Sequence, residues 1–251
     1  MENTLNTIHL KPGRMALILG ILAIILVALS LTGQSFRFFT LPFELHTATG
    51  EFFLDMFIDE FSVNTESNIP TWFNATLLLL ASLATFVIAS IKRTARDRYR
   101  FEWAILACVF LLLSVDEASM IHEQFSRLFK DAPDVSGWLH YKWLIPGSIV
   151  VLLLALTFLR FFLHLESRYK ILFLASSALY IFGAFGGELF SGHFANAYGT
   201  KHFAYAAMTT GEELLEWLGV ILMIFTLLKY IETHFAEIQV RSGPRETQPV
   251  K

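Results

Sequence analysis

Six runs of nearly unbroken apolar residues, at 15–31, 73–91, 103–115, 144–162, 171–185 and 217–230, restrict this chain to a membrane fold. With its flanks, each approaches the roughly 20 residues a helix needs to cross a bilayer. A barrel strand would alternate apolar and polar residues over about 10 positions. These runs are apolar at nearly every position, which predicts helices. Charged residues make up 16% of the chain, against about 25% in soluble domains, so little is left for a separate soluble domain. The expectation is an all-α, polytopic membrane protein, a six-transmembrane-helix bundle with both termini in the cytoplasm.

The orientation comes from the basic residues, which concentrate on the cytoplasmic side of bacterial membranes. Lys11 and Arg14 precede the first run. Lys92, Arg93, Arg96, Arg98 and Arg100 separate the second from the third, Arg160, Arg168 and Lys170 separate the fourth from the fifth, and Lys229, Arg241, Arg245 and Lys251 close the chain. The opposite side holds Arg37, Arg127, Lys130, Lys142 and Lys201. Residues 1–14 are then a cytoplasmic segment, 15–233 the membrane domain with an outer loop at 34–70, and 234–251 a flexible cytoplasmic tail. The first run also fits a signal peptide in its basic start, but exceeds the usual 7–15 apolar residues of one. Its cleavage would leave five spans and the same outer side. Within the outer loop, residues 51–61 mix Phe, Met and Ile with acids, a pattern suited to a short interfacial helix. Trp72, Trp103, Trp138, Trp143 and Trp217 fall near run ends, as an aromatic belt would.

The net charge of −3 gives no reason to expect a nucleic-acid partner; the bilayer itself is the expected one. The single cysteine, Cys108, lies in the third run and is read as a small buried hydrophobe.

Ionisable residues inside apolar spans are costly and need a partner, a cavity or an ion. Three stretches carry them: 114–123 (Ser-Val-Asp-Glu-Ala-Ser-Met-Ile-His-Glu), 186–193 (Gly-Gly-Glu-Leu-Phe-Ser-Gly-His) and 211–217 (Gly-Glu-Glu-Leu-Leu-Glu-Trp). Counted from the inner anchors Arg100, Lys170 and Lys229 at 1.5 Å per residue, Asp116, Glu188 and Glu216 lie about 24, 27 and 20 Å up. In a core of about 30 Å, all three sit just below the outer surface. Asn74 reaches the same level from the second run. Regular helical angles put Asp116, Ser119 and Glu123 on one stripe with His122 at its edge, and Glu212, Glu216 and Gly219 on another with Glu213 at its edge. Glu188 and His193 are about 140° apart, so both face inward only if the helix bends, with Gly192 the candidate.

Each feature also has a plainer explanation. Glu212 and Glu213 begin the sixth helix, where capping and the dipole favour anions. Asp116 and Glu117 approach the end of the third, where the dipole disfavours them, unless a basic residue such as Arg127 or Lys201 pairs with them. The histidines suit interfacial hydrogen bonds. Gly183 and Gly187 fit close helix packing.

Carboxylates with imidazoles and no thiolate suit Zn²⁺, Fe²⁺ or Mn²⁺. Asp116, His122, Glu188, His193 and Glu216 are the candidate metal ligands, and Asp116, Glu123 and Glu188 the candidate acid–base residues. A metal-bound water would then act on a lipid or other apolar substrate. The alternatives are a proton- or cation-coupled transporter or channel, and a non-catalytic subunit or assembly factor. The chain has no His-Glu-x-x-His, His-x-x-x-His or Glu-x-x-His, which argues against the common zinc-protease and ferritin-like arrangements.

The stretches 68–73 (Asn-Ile-Pro-Thr-Trp-Phe), 114–123 and 212–219 (Glu-Glu-Leu-Leu-Glu-Trp-Leu-Gly) resemble a group of uncharacterised bacterial multi-pass membrane proteins, over about residues 55–230. That resemblance implies a bacterial inner-membrane location and no particular activity. Alkaline-ceramidase-like hydrolases are similar in setting Ser, Asp and His around zinc within spans, but their His-x-x-x-His segment is missing here.

Overall fold

The structure is a computed structural model and describes residues 11–39, 47–122, 124 and 144–235. Those residues are all-helical, without strands. In chain order the helices are α1 (Pro12–Phe38), α2 (Ala48–Phe61), α3 (Ile69–Thr94), α4 (Arg100–Ser119), α5 (Leu144–His164) and α6 (Ser167–Ile181). A π-helical turn (Phe182–Gly187) leads into α7 (Glu188–Tyr198), and α8 (Phe203–His234) ends the fold. Five helical stretches are long and apolar enough to cross a membrane: α1, α3, α5, α6 through α7, and α8. α4 has 20 residues but carries Arg100, Glu102, Asp116 and Glu117, more charge than such a span normally takes.

Local chemistry explains the boundaries. Asn68 caps α3, its Oδ1 accepting from the Thr71 amide at 3.1 Å, and Pro70 occupies the first turn where its missing N–H costs nothing. The Asn68 amide donates back to Ser62 O at 2.6 Å and Thr65 O at 2.8 Å, so one side chain fixes both the preceding loop and the helix start. The α3–α4 turn is closed by Lys92 and Asp97 at 2.9 Å. Beyond α4 the backbone turns left-handed at Met120, φ 53°. His202 caps α8, accepting from the Ala204 amide at 3.1 Å.

Residues 51–61 are helical, within α2. Residues 34–38, assigned to the segment between the first two spans, are helical as the end of α1. α2 is tied to that end of α1 by Arg37–Asp59 at 2.5 Å, by Gln34 donating to Ser62 Oγ at 2.9 Å, and by close packing of Gly33 on Ile58.

α3 and α8 form the centre: 56% and 61% of their most apolar windows are buried, against 11% for α5 and 17% for α1. Leu77, Leu78, Ala81 and Ile88 from α3 meet Trp217, Val220, Ile224 and Leu227 from α8 in one core. α4 packs on α3, and α1 and α6 pack on α8. Two interhelical hydrogen bonds lock α3 to α4: Ser82 Oγ to Ala107 O at 2.8 Å and Ser114 Oγ to Ala75 O at 2.7 Å. The outward faces of α1 and α5 are apolar and exposed (Ile21, Ile24, Ile149, Leu152, Leu156), which suits lipid contact.

Three expectations are corrected. Trp103 and Trp217 are core residues, 1% and 0% exposed: Trp103 packs on Phe161, Phe173 and Tyr230, and Trp217 on Phe73. Of the expected belt only Trp72 is exposed, while Trp138 and Trp143 lie outside the described residues. Cys108 is exposed on the outer side of α4, not buried. The helix after α6 does not bend at Gly192; its departure from α geometry comes earlier, at the π-helical turn. The tail at 236–251 also lies outside the described residues.

Candidate functional site

The seam between α6 and α8 sets the site. A Cβ on Gly219 would lie 2.7 Å from Tyr180 N, and Ser176 Oγ donates to Gly219 O at 2.8 Å. One turn outward, a Cβ on Gly183 would lie 2.7 Å from Glu216 Cγ, and one on Gly187 2.6 Å from Glu212 Cδ. The two glycines of the small-xxx-small pair therefore pack directly on the acid side chains of α8. The π-helical turn runs across this stretch. Such turns place an extra residue in the helix and recur at functional sites.

α4, packed on α3, carries Glu117. Glu213 lies within electrostatic reach of Glu117, Glu212, Glu66 and Glu188. Glu216 is acted on by Glu213, Glu117, Glu212 and Glu188. All of these carboxyls are partly buried except that of Glu66, in the loop before α3; Thr71 Oγ1 donates to its Oε2 at 3.4 Å. Among the described residues, no lysine, arginine or histidine pairs with Glu117, Glu212, Glu213 or Glu216. Carboxylates gathered at low dielectric without such a partner call for protons, water or a cation.

Asn74, 1% exposed, lies beside Glu117, the acid its side chain engages. Trp217 Nε1 and Glu212 Oε2 are buried without a hydrogen-bond partner, and buried Ser191 lies toward Glu212. Native proteins leave few such groups unsatisfied, and each marks a place for water or a ligand. Beneath this level the core is closed. The hydroxyls of Thr85 and Thr226 bond back to carbonyls of their own helices at Ala81 and Leu222, and the space between α3 and α8 is filled by Leu77, Leu78, Ile224 and Leu227.

The sequence-predicted residues divide accordingly. Asp116 and His122 are joined: the His122 amide donates to Asp116 Oδ1 at 2.8 Å, and Nδ1 lies 3.1 Å from Oδ2. The chain turns left-handed at Met120, between the two partners of this contact. His122 lies beyond the end of α4. Its burial disfavours the imidazolium, but the Asp116 hydrogen bond, and attraction from Asp116, Glu188 and Glu66, outweigh this and raise it to about 9. Glu188 and Glu216 share the cluster. His193 stands on the exposed side of α7, between buried Gly192 and the partly buried Phe194. Glu123 lies outside the described residues. Among the described residues, no three His, Cys, Asp or Glu side chains converge as metal ligands.

Residues underrated from the sequence are Glu66, Glu117, Glu213 and Asn74. Asn74 had a usable signal, an amide in an apolar run at the depth of the acids. Glu66 had none, since its position depends on the Asn68-centred loop.

Neither a curated protein nor a solved structure matches the chain. A family profile matches residues 16–231, most of its length. By that match the chain belongs to the family described as Domain of unknown function (DUF8692).

Proposed function

We propose that this is a bacterial inner-membrane protein with six spans and both termini in the cytoplasm, α4 being the sixth span, whose buried carboxylates hold a divalent cation near the outer boundary. The observation that carries this reading is that Glu212 and Glu216 of α8 pack on Gly187 and Gly183, within electrostatic reach of Glu213, of Glu117 from α4 and of Glu188 from α7, with no ion pair from a described cation to Glu117, Glu212, Glu213 or Glu216. A bound cation would balance that charge. α4 fits as a span because its charges lie at its ends, with only apolar or small residues and one serine between Glu102 and Asp116. The basic clusters on the opposite side set the orientation.

The closed, apolar floor favours a site that opens outward over a path that crosses the membrane. A cation held there would polarise an apolar or lipid-borne substrate entering from the outer leaflet. Transport of protons or cations would require a polar route past Leu77, Ile224 and Leu227.

The test is metal content by mass spectrometry of detergent-purified protein prepared without chelators, beside the Glu117→Gln/Glu213→Gln variant. Near-stoichiometric metal in the parent and its loss in the variant is the expected result. A metal-free parent, or a variant that keeps its metal, would overturn the reading.

A further inference from the structure

One face of α3 is buried against α4 and α8, and the opposite face carries a single exposed stripe: Trp72, Leu79, Leu83, Phe86, Ser90 and Arg93. Regular helical angles place these six within one narrow sector. Trp72 and Arg93 are 21 positions apart, about 32 Å at 1.5 Å per residue, which matches a hydrocarbon core of about 30 Å. From Leu83 to Arg93 the stripe passes from apolar side chains through a hydroxyl to a guanidinium. Acyl chain, glycerol and phosphate follow one another in the same order in a phospholipid. Beside its charged end, Ser90, Ile91, Thr94 and Ala95 line a shallow groove.

That charged end is a fixed turn. The Asp97 amide donates to Lys92 O at 2.9 Å and the Arg96 amide to Arg93 O at 3.1 Å, the paired bonds of a helix end closed by a left-handed residue. The left-handed residue is Arg96, φ 52°, at a position that favours glycine. Within the turn Lys92, Arg93, Arg96, Arg98 and Arg100 stand against one acid, Asp97. Asp97 is engaged by Lys92 at 2.9 Å and by the Tyr99 amide at 2.8 Å. Arg98 lies over the Tyr99 ring at 5.3 Å and Arg100 over the Phe101 ring at 4.8 Å. Arg93 and Arg96 are exposed, and among the described residues no carboxylate pairs with either. The helix dipole and the orientation of the chain both favour cations here, but neither occupies the guanidinium donors.

We propose that this end of α3 binds an anionic phospholipid, with Arg93 and Arg96 on the headgroup phosphate and an acyl chain along Leu83 and Phe86. Charge complementarity selects the occupant: basic groups at the end of a span attract anionic headgroups, and an arginine fork meets two phosphate oxygens at once. A zwitterionic headgroup would bring its own cation against the two arginines. A soluble anion would meet the arginines but leave the apolar part of the stripe without a partner. The site lies at the opposite end of α3 from the carboxylates and does not rest on the cation reading.

The experiment is native mass spectrometry of the full chain in detergent, titrated with phosphatidylglycerol or with phosphatidylcholine of the same acyl chains. The parent is compared with Arg93→Gln/Arg96→Gln and with Arg160→Gln/Arg168→Gln, which removes equal charge from two other exposed arginines. The parent is expected to hold phosphatidylglycerol about tenfold more tightly than phosphatidylcholine. The first Gln pair should lose that preference and the second should keep it. Arg93→Lys/Arg96→Lys retains the charge that sets topology, so it decides the matter if the Gln pair does not insert. Without the bidentate fork it should bind phosphatidylglycerol several-fold more weakly than the parent. Equal affinity of the parent for the two lipids, an equal loss in both Gln pairs, or a Lys pair that binds like the parent would overturn the proposal. Complete displacement of the lipid by inorganic phosphate would overturn it too, by marking a site for a soluble anion.

Discussion

Replacing Gly219 by alanine tests the α6–α8 seam that holds the site together. The added Cβ would lie 2.7 Å from Tyr180 N, 3.0 Å from Ser176 O and 3.0 Å from Tyr180 Cα, all backbone atoms. Ordinary contact begins near 3.4 Å, so α6 must retreat by about 0.7 Å, since backbone cannot swing aside as a side chain can. The Ser176–Gly219 hydrogen bond, 2.8 Å, would stretch to about 3.5 Å, the limit at which it still counts. An interhelical hydrogen bond in a membrane protein is worth about 0.6 kcal/mol, and overpacking costs about 1–3 kcal/mol. The expected loss is about 2–3 kcal/mol. Gly211, on the same helix, is the control: a Cβ added there would meet nothing within 4 Å. Alanine there gains up to about 1 kcal/mol in helix propensity, so Gly211→Ala should be neutral or slightly stabilising. Reversible unfolding in mixed micelles, followed by tryptophan fluorescence, measures both. Equal stability of the two variants would refute the close approach of α6 to α8, and with it the placement of Gly183 and Gly187 on the α8 acids.

Other predictions concern the edges of the site. His122 should remain protonated through neutral pH and titrate near 9, as read by NMR of labelled histidine. Because its folded value is raised above 6.5, its stabilising contribution is complete below about pH 6.5 and disappears as pH rises through about 9. Asp116→Asn should move that titration down, and a parent His122 titrating near 6.5 would contradict the pairing. Asn68→Ala removes a cap and the bonds to Ser62 and Thr65, so it should cost about 1–2 kcal/mol and raise hydrogen exchange across the loop that carries Glu66. No change in that loop's exchange would show that Asn68 does not organise it. Ser82→Ala with Ser114→Ala deletes both α3–α4 hydrogen bonds and should cost about 1 kcal/mol in the same unfolding assay. A stability equal to the parent's would count against that clamp.

The helical, membrane-crossing character of the chain was legible because apolar runs of this length admit few other folds. The start of α3 was legible too, since Asn68 and Pro70 act through bonds to their own neighbours. The site was legible only to the level of which stretches meet. Met120 adopts a left-handed conformation that leaves no mark in the local sequence, so the return of His122 onto Asp116 was not legible. The π-helical turn was equally hidden. Its glycines signalled close packing, but not that the packing would be on Glu212 and Glu216. Trp103 and Trp217 sit at run ends and resemble belt residues, yet the aromatic groups that cover them come from distant helices.

The most direct test of a cation held by the α4 and α8 carboxylates is anomalous diffraction from crystals grown with Mn²⁺. The account predicts one strong peak within about 2.6 Å of oxygens of Glu117 and Glu213. A peak held instead by Asp116 and His122, or no peak in the bundle at saturating Mn²⁺, would contradict it.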